Sequence, residues 1–166
     1  DQLRRRWPGS PEALLALEAS AETLFRQERY ADAEGLFRKL GAEAGHTGDL
    51  AERAHLRIGD ALYNAKSYPQ AVIAYRLFTE RFASSTRLIE ALYGMQWAYL
   101  QLGDYERARE QAREFLGRFP QASLAAEVQL MVAESWRREK KPSEALAQYR
   151  KLIEAYPDSD LAAVAR

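Results

Sequence analysis

The stretch IGDALYNAKSYPQAVIAYRLFTERF, residues 58–82, decides the fold of this chain. Its first part carries apolar residues at the i, i+3, i+4, i+7 spacing of one helical face, namely Ile58, Ala61, Leu62 and Ala65. Its last part repeats that spacing at positions 71, 74, 75 and 78. A polar turn at 66–69 separates the two stripes, and Pro69 suits the first turn of a helix. The stretch therefore predicts two antiparallel helices joined by a short turn.

The same pattern recurs along the chain with a period of 37 or 38 residues. One column of the repeat holds Ala33, Ala71, Ala108 and Ala145. Twelve positions before the alanine stands a small residue in three of the four units, and four positions after it stands an aromatic residue in three. Small side chains let two antiparallel helices approach closely, so these columns predict the helix crossing inside each hairpin. The chain is therefore predicted to contain four helical hairpins.

The composition argues against several classes of function. The 166 residues include 24 Lys plus Arg and 24 Asp plus Glu, and a formal charge of zero is atypical of a nucleic-acid binder. Cysteine is absent, and His46 and His55 lack the spacing of a helical metal-ligand pair. The longest apolar runs are five residues, whereas a membrane-spanning helix needs about 20. We therefore expect no catalysis, no metal, no cofactor and no membrane span.

The column pattern extends towards both ends of the sequence. Pro8 lies 37 residues before Gly45, so residues 1–8 are predicted to be the tail of a preceding second helix. Residues 160–166 are predicted to start a following first helix. We therefore expect an array that is open at both ends and capable of end-to-end self-association. Polar residues near the helix starts are predicted N-caps, namely Ser10, Thr47, Ser85, Ser123 and Ser159.

Each unit carries a large apolar residue, a small residue, a turn with tyrosine in three units, and then Ala-x-x-x-aromatic with a closing proline in most units. This motif resembles the tetratricopeptide repeat. The resemblance covers nearly the whole chain, as units 11–44, 49–82, 87–119 and 124–156. It implies an all-α fold, a right-handed α–α superhelix of four hairpins with partial repeats at both ends. The early tryptophan frequent in the family is replaced by Leu17, His55, Leu92 and Gln129.

The period exceeds the family's usual length of about 34 residues because extra residues follow the closing proline. This lengthened form, as in residues 119–126 and 156–163, resembles repeats of bacterial cell-envelope proteins. It is similar to the Tol-Pal-associated coordinator and outer-membrane-assembly lipoprotein types. The resemblance implies a periplasmic or cell-envelope location. A cytoplasmic location is the alternative, because such repeats also occur in cytoplasmic scaffolds.

The family resemblance also implies that the first helices line a concave groove. Carrying over the groove positions gives a predicted partner-binding site of Glu22, Arg53, Leu56, Asp60, Asn64, Tyr93, Trp97, Gln101, Glu134 and Arg138. Further groove positions are held by Glu18, Arg26, Glu90, Glu127 and Leu130. The Lys, Asn and Arg that bind a chaperone's terminal carboxylate are replaced mainly by acidic and aromatic residues. The resemblance therefore favours another kind of partner.

Two aromatic residues stand out among the groove positions. Tyr93 and Trp97 lie one helical turn apart, and Asp60 and Glu134 belong to the neighbouring units. Aromatic rings beside carboxylates suit a protein or peptide with basic and apolar side chains. The alternative is that both aromatics pack between adjacent repeats.

We therefore predict a non-catalytic scaffold that binds a protein or peptide within a larger bacterial envelope assembly. A self-association or spacer segment is one alternative. An accessory domain of a polysaccharide-handling envelope system is another.

Overall fold

The computed structural model describes residues 10–45 and 47–164. Its helices are α1 Pro11–Arg26, α2 Tyr30–Glu43, α3 Asp49–Asn64, α4 Tyr68–Arg81, α5 Leu88–Leu102, α6 Tyr105–Arg118, α7 Ala125–Arg138, α8 Pro142–Ala155 and α9 Asp160–Val164. No strand occurs within the described ranges. The predicted all-α class of helical hairpins, the α–α superhelix type, is confirmed. The predicted tail at residues 1–8 lies outside the described residues.

The described chain forms two compact units, one ending at Gly94 and one beginning at Met95. In the first unit, α1 packs on α2, α2 on α3 and α3 on α4. In the second unit, α6 packs on α7 and α7 on α8, while the short α9 contacts both α7 and α8. Each helix therefore packs against near neighbours in the sequence, as expected for a repeat array.

The first helix of each hairpin is followed, one or two positions after its last residue, by a residue with left-handed backbone geometry. These residues are Glu28, Lys66, Gly103 and Lys140, with φ of 59°, 60°, 74° and 61°. The next backbone N–H then donates to a carbonyl five residues earlier, at 2.9 Å from Ser67 to Leu62. This bond satisfies a carbonyl that the helix end leaves unpaired, and the chain can reverse direction. The predicted polar turns are of this type.

The predicted helix caps are only partly confirmed. The hydroxyls of Ser10 and Ser159 accept backbone N–H bonds from Ala13 and Leu161, inside their helices, both at 3.2 Å. The Ser85 hydroxyl accepts the Arg87 N–H at 3.0 Å, which lies before α5 begins at Leu88, so it forms a turn ahead of the helix and not a cap. The predictions for Thr47 and Ser123 were wrong, because Gly48 precedes α3 and Leu124 precedes α7 without a side-chain cap. At α7 a backbone turn replaces the cap, since the Ala125 N–H donates to the Ala122 carbonyl at 2.9 Å.

One tyrosine ring fixes how closely three helices of the first unit approach. Tyr75 on α4 is 3 % exposed. A Cβ added at Gly59 on α3 would lie 2.5 Å from its Cε1, and one added at Gly94 on α5 would lie 2.5 Å from its Cζ. Those distances are far inside van der Waals contact. Both glycines therefore leave room for the ring, and the small-residue column has a steric cause at this repeat.

In the third repeat, the large and the small residue at the helix crossing change places between the two helices. Gln96 stands at the position equivalent to Gly59, and Ala112 stands at the position equivalent to Tyr75. Gln96 is 1 % exposed and Ala112 is fully buried. The large side chain thus comes from the first helix rather than from the second. The Gln96 Oε1 has no hydrogen-bond partner among the described residues, so the core of this repeat contains an unpaired polar atom.

Replacing Gly59 by Ala tests the role of the Tyr75 ring. The new Cβ forces the ring to move, so the free energy of unfolding should fall by about 1–3 kcal/mol. Gly35→Ala is the matched control, because a Cβ there meets nothing within 4 Å. That helix-interior change should instead stabilise the chain by about 0.5–1 kcal/mol. Urea unfolding measures both, and equal effects would contradict the steric account.

Candidate functional site

Two bidentate ion pairs join the first helices of the first two repeats. Arg53 on α3 binds Glu18 on α1 through Nε–Oε1 at 2.6 Å and Nη2–Oε2 at 3.0 Å. One turn further along, Arg57 binds Glu22 through Nε–Oε1 at 2.7 Å and Nη2–Oε2 at 2.6 Å. Two parallel N–H···O bonds fix both the distance and the angle between the partners. The two pairs therefore hold α1 and α3 in one register.

Arg57 is the centre of this arrangement. Its guanidinium carbon lies 3.9 Å from the centre of the Phe25 ring, and its Nη1 donates to Asp60 Oδ2 at 3.0 Å. Burial lowers the pKa of Arg57, but the bonds to Glu22 and Asp60 outweigh burial and hold that pKa above its ordinary value. The guanidinium is thus bound on its edge by two carboxylates and on one face by an aromatic ring.

Asp60 links the charged surface to the buried core. Its Oδ1 accepts the Tyr75 hydroxyl at 2.8 Å, while its Oδ2 accepts from Arg57. Burial raises the pKa of Asp60, although the hydrogen bonds from Tyr75 and Arg57 act in the opposite direction. Burial likewise raises the pKa of the Tyr75 hydroxyl, so this group stays a donor. We call Glu22, Arg57, Asp60 and Tyr75 the Arg57 network.

The second unit repeats the carboxylate–tyrosine contact with different electrostatics. Glu134 follows Ala133 as Asp60 follows Gly59, and its Oε1 accepts the Tyr149 hydroxyl at 2.5 Å. Its Oε2 also lies 2.6 Å from Nη2 of Arg137. Hydrogen bonds from Arg137 lower the pKa of Glu134 more than partial burial raises it. Equivalent positions therefore hold carboxyl groups whose pKa values shift in opposite directions.

The structure gives the predicted site residues of the first unit unequal roles. Glu22, Arg53 and Asp60 take part in the ion pairs, and the Asn64 amide donates to the Asp60 backbone carbonyl at 2.8 Å. Leu56 is a correction, because its side chain is only 4 % exposed and packs in the core. Its place in the family pattern did not reveal that burial. At this exposure the Leu56 side chain offers almost no surface to a partner.

The remaining predicted residues lie on α5 and α7. Tyr93 and Trp97 are half-buried on α5, whereas Gln101 is exposed near its end. In the second unit Glu134 is held by Arg137 and Tyr149, and Arg138 is exposed. Arg137 and Tyr149, which bind Glu134, were not among the residues predicted from the sequence.

Sequence reasoning missed two members of the Arg57 network. The predicted groove positions follow the family pattern, and Arg57 lies outside that pattern. Tyr75 was assigned only to core packing, although its hydroxyl binds Asp60. A signal was available, because an acidic residue occurs fifteen positions before tyrosine in both the second and the fourth repeats.

A groove on the other helices of the first unit was also missed. It has a volume of about 650 Å³ and lies between α2 and α4, above side chains of α3. Its lining residues are mostly apolar, with Ile73 and Leu77 on α4 being 48 % and 55 % exposed. The predicted site lies elsewhere, because none of its ten residues lines this groove.

Across residues 10–45 and 47–164, no three His, Cys, Asp or Glu side chains are arranged to hold a metal ion. No helix in the described ranges has the length and apolar character needed to cross a membrane.

Comparison with known sequences identifies the family. Two sequence profiles, each described as tetratricopeptide repeat, match residues 1–46 with 93–160 and residues 53–85 respectively. The chain therefore belongs to the tetratricopeptide repeat family. Proteins with this repeat generally mediate protein–protein interactions, and the fold is typically a non-catalytic scaffold. No protein of curated function gives a significant match.

Solved structures share the fold at low sequence identity. YrrB, described as a TPR protein with an unusual peptide-binding site, gives a TM-score of 0.70 at 17 % identity over 94 % of this chain and 75 % of YrrB. MamA from Desulfovibrio magneticus RS-1 gives 0.70 at 12 % identity over 88 % and 77 %. BtubC from P. vanneervenii gives 0.73 at 16 % identity over 95 % and 69 %. At these identities the likeness shows the fold alone.

Asp60 and Glu134 should affect stability with opposite pH dependence. The folded chain holds the Asp60 proton more tightly than the unfolded chain does, so the Asp60 contribution falls as pH rises above the ordinary carboxyl pKa. The Glu134 contribution is present above that ordinary pKa and is lost as pH falls towards the lowered value. From about pH 3 to about pH 6, Asp60→Asn should gain stability relative to the wild type and Glu134→Gln should lose it. Urea unfolding at several pH values measures both, and slopes of the same sign would contradict the assignment.

Proposed function

We propose that this chain is a non-catalytic scaffold that binds a protein or peptide partner on the first-helix face. Within each unit, we use this name for the first-helix side chains at the predicted groove positions that lie outside the buried stripes, such as Glu22 and Asp60 in the first unit and Glu134 in the second. The observation that carries the proposal is the partial exposure of Tyr93 and Trp97 on α5. Large aromatic side chains of this kind frequently anchor protein interfaces.

The contrast with the rest of α5 supports this interpretation. The large residues of its buried stripe, Leu88, Leu92 and Met95, are 3 %, 2 % and 4 % exposed. Tyr93 and Trp97 lie one turn apart on the same helix, outside that stripe, and each is only partly buried. We propose that their exposed parts contact an apolar or cationic side chain of the partner.

Charge on the first-helix face supports a basic partner. Carboxylates outnumber arginines among the residues of the first unit that form ion pairs on or next to its first helices, which are Glu18, Glu22, Asp49, Glu52, Asp60, Arg53, Arg57 and Arg87. Five negative and three positive groups leave a net negative surface. Because the side chains are already held in pairs, a partner loses less conformational entropy in ordering them.

The lengthened repeat form supports a place in a bacterial envelope assembly. It extends the closing-proline segment in residues 119–126 and 156–163, where the resemblance to envelope proteins lies. We propose a periplasmic or cell-envelope location on that ground. Fractionation of source cells, with detection of the untagged protein, tests the location separately from binding.

Removing the two aromatic rings tests the proposed face. Tyr93→Ala with Trp97→Ala should weaken partner binding at least about tenfold, because anchoring aromatics dominate interface energies. Affinity capture from source lysate, compared between wild type and variant, identifies the partner, and titration of the purified partner gives the ratio. Tyr105→Ala, which changes another half-buried tyrosine at the start of α6, is the control.

A second variant keeps the test decisive if the aromatic variant unfolds. Glu90→Lys with Gln101→Lys changes two exposed side chains of α5 and should leave the melting temperature unchanged. The proposal requires weaker binding in this variant. A partner that binds both variants as it binds wild type would overturn it. Wild-type chain that captures only itself would favour self-association, and capture of polysaccharide lost with Trp97 would favour the accessory-domain alternative.

Charge reversal at an exposed carboxylate tests for a basic partner. Asp60 and Glu134 are unsuitable, because reversing either breaks a contact with a tyrosine hydroxyl. Glu90 is exposed on α5, so Glu90→Lys should leave the fold intact. We expect the association rate to fall several-fold and its salt dependence to weaken. Stopped-flow association at low and high salt measures both, and a faster rate would indicate an acidic partner.

A further inference from the structure

The groove between α2 and α4 is built from three helices of the first unit. One wall comes from α2, the other from α4, and α3 forms the floor with His55 and Ile58. The wall residues are Arg38, Gly41 and Ala42 on α2, and Gln70, Ile73, Ala74, Leu77, Glu80 and Arg81 on α4. None of these residues belongs to the Arg57 network. The groove is therefore separate from the first-helix face.

The α4 wall exposes large apolar surface that the core does not use. The buried residues Ala71, Val72, Tyr75 and Phe78 account for the packing of α4 inside the unit. Ile73 and Leu77 lie one helical turn apart and remain 48 % and 55 % exposed. On the opposite wall, Gly41 and Ala42 have little or no side chain, so α2 projects little into the groove. An apolar ridge beside a shallow apolar trough is the shape into which another helix packs.

We propose that this groove docks an amphipathic helix of a partner protein, with apolar residues at i, i+3, i+4 and i+7 and carboxylates beside that stripe. The groove walls favour a helix over an extended strand. An extended strand would bring unpaired backbone N–H and C=O groups against Ile58, Ala74 and other apolar side chains. A helix satisfies its own backbone groups and presents only side chains.

The polar side chain in the groove floor, His55, offers few hydrogen bonds to the backbone of an extended peptide. Nη1 of Arg81 lies 3.1 Å from Nε2 of His55, and because a guanidinium only donates, that nitrogen acts as the acceptor. The ring of His55 also packs 5.5 Å from that of Phe82. The imidazole is thus engaged within the chain, and it forms part of the floor rather than a site for peptide bonds.

Charge at the rim selects carboxylates on the docked helix. Arg38 on one wall and Arg81 on the other outnumber Glu80. The charged side chains that line the groove thus include one more positive than negative group. Acidic residues flanking an apolar stripe complement this positive excess, whereas basic residues would be repelled.

Selection from a displayed library of helical peptides tests the proposal, because the library itself supplies the candidate ligands. Wild-type chain serves as the bait, and Ile73→Ser with Leu77→Ser serves for counter-selection. Both substitutions are at exposed positions, so the variant should fold, and circular dichroism checks this. Leu146→Ser on α8 is the matched control, because Leu146 is 51 % exposed and lies outside the groove.

The proposal gives definite expectations for the selected peptides. They should carry the apolar stripe with Asp or Glu beside it. They should bind the Ile73→Ser, Leu77→Ser variant at least about tenfold more weakly than wild type and the Leu146→Ser control equally well. Arg38→Glu should weaken the acidic peptides several-fold and strengthen versions in which their carboxylates are replaced by lysine.

Three results would overturn the proposal. The first is a selection that enriches no helical stripe, or one that enriches basic or extended sequences. The second is equal binding to wild type and to the Ile73→Ser, Leu77→Ser variant. The third is concentration-dependent dimerisation of wild type that this variant abolishes, since a second copy of the chain would then occupy the groove. Loss of binding on Tyr93 and Trp97 substitution bears only on the first-helix face.

Discussion

The close approach of α3, α4 and α5 around the Tyr75 ring is the constraint on which the first unit depends. The ring is accommodated only because Gly59 and Gly94 present no Cβ, and van der Waals repulsion is steep at the distances involved. When an aromatic ring fills the crossing of a hairpin, a clash with the ring excludes most separations and rotations of the two helices. The buried alanines of the same columns meet the same requirement in the other repeats.

The hydroxyl of Tyr75 links this helix crossing to charged side chains at the surface. It binds Asp60, Asp60 binds Arg57, and Arg57 binds Glu22 on the preceding first helix. Charged groups on the first-helix face are thus positioned by the core rather than by solvent alone. Bidentate pairs between residues 35 positions apart fix the orientation of α3 against α1. Substitutions in this network are therefore expected to disturb neighbouring repeats together.

Sequence periodicity predicted the hairpins, the alanine columns and the turn at Gly103, because helical spacing and backbone sterics act locally. It could not predict the Arg57 network, since ion pairs between repeats depend on the rotation of one helix against another. Leu56 was misplaced for the same reason, because its burial depends on how α3 is rotated within the unit. The groove beside Ile73 and Leu77 went unnoticed because an exposed apolar residue in a helix has no signature in the sequence until its neighbours are placed. Burial and ion pairing together therefore changed the list of candidate residues more than they changed the fold.

The sizes of Gln96 and Ala112 limit which helices could be exchanged between the second and third repeats. In the second repeat the small residue is on the first helix, whereas in the third repeat it is on the second helix. A hybrid hairpin made from one helix of each would bring together either two small residues or two large ones. The first combination leaves a void and the second a clash. The second and third repeats are therefore not interchangeable helix by helix, and recombination between these two repeats is restricted to whole hairpins.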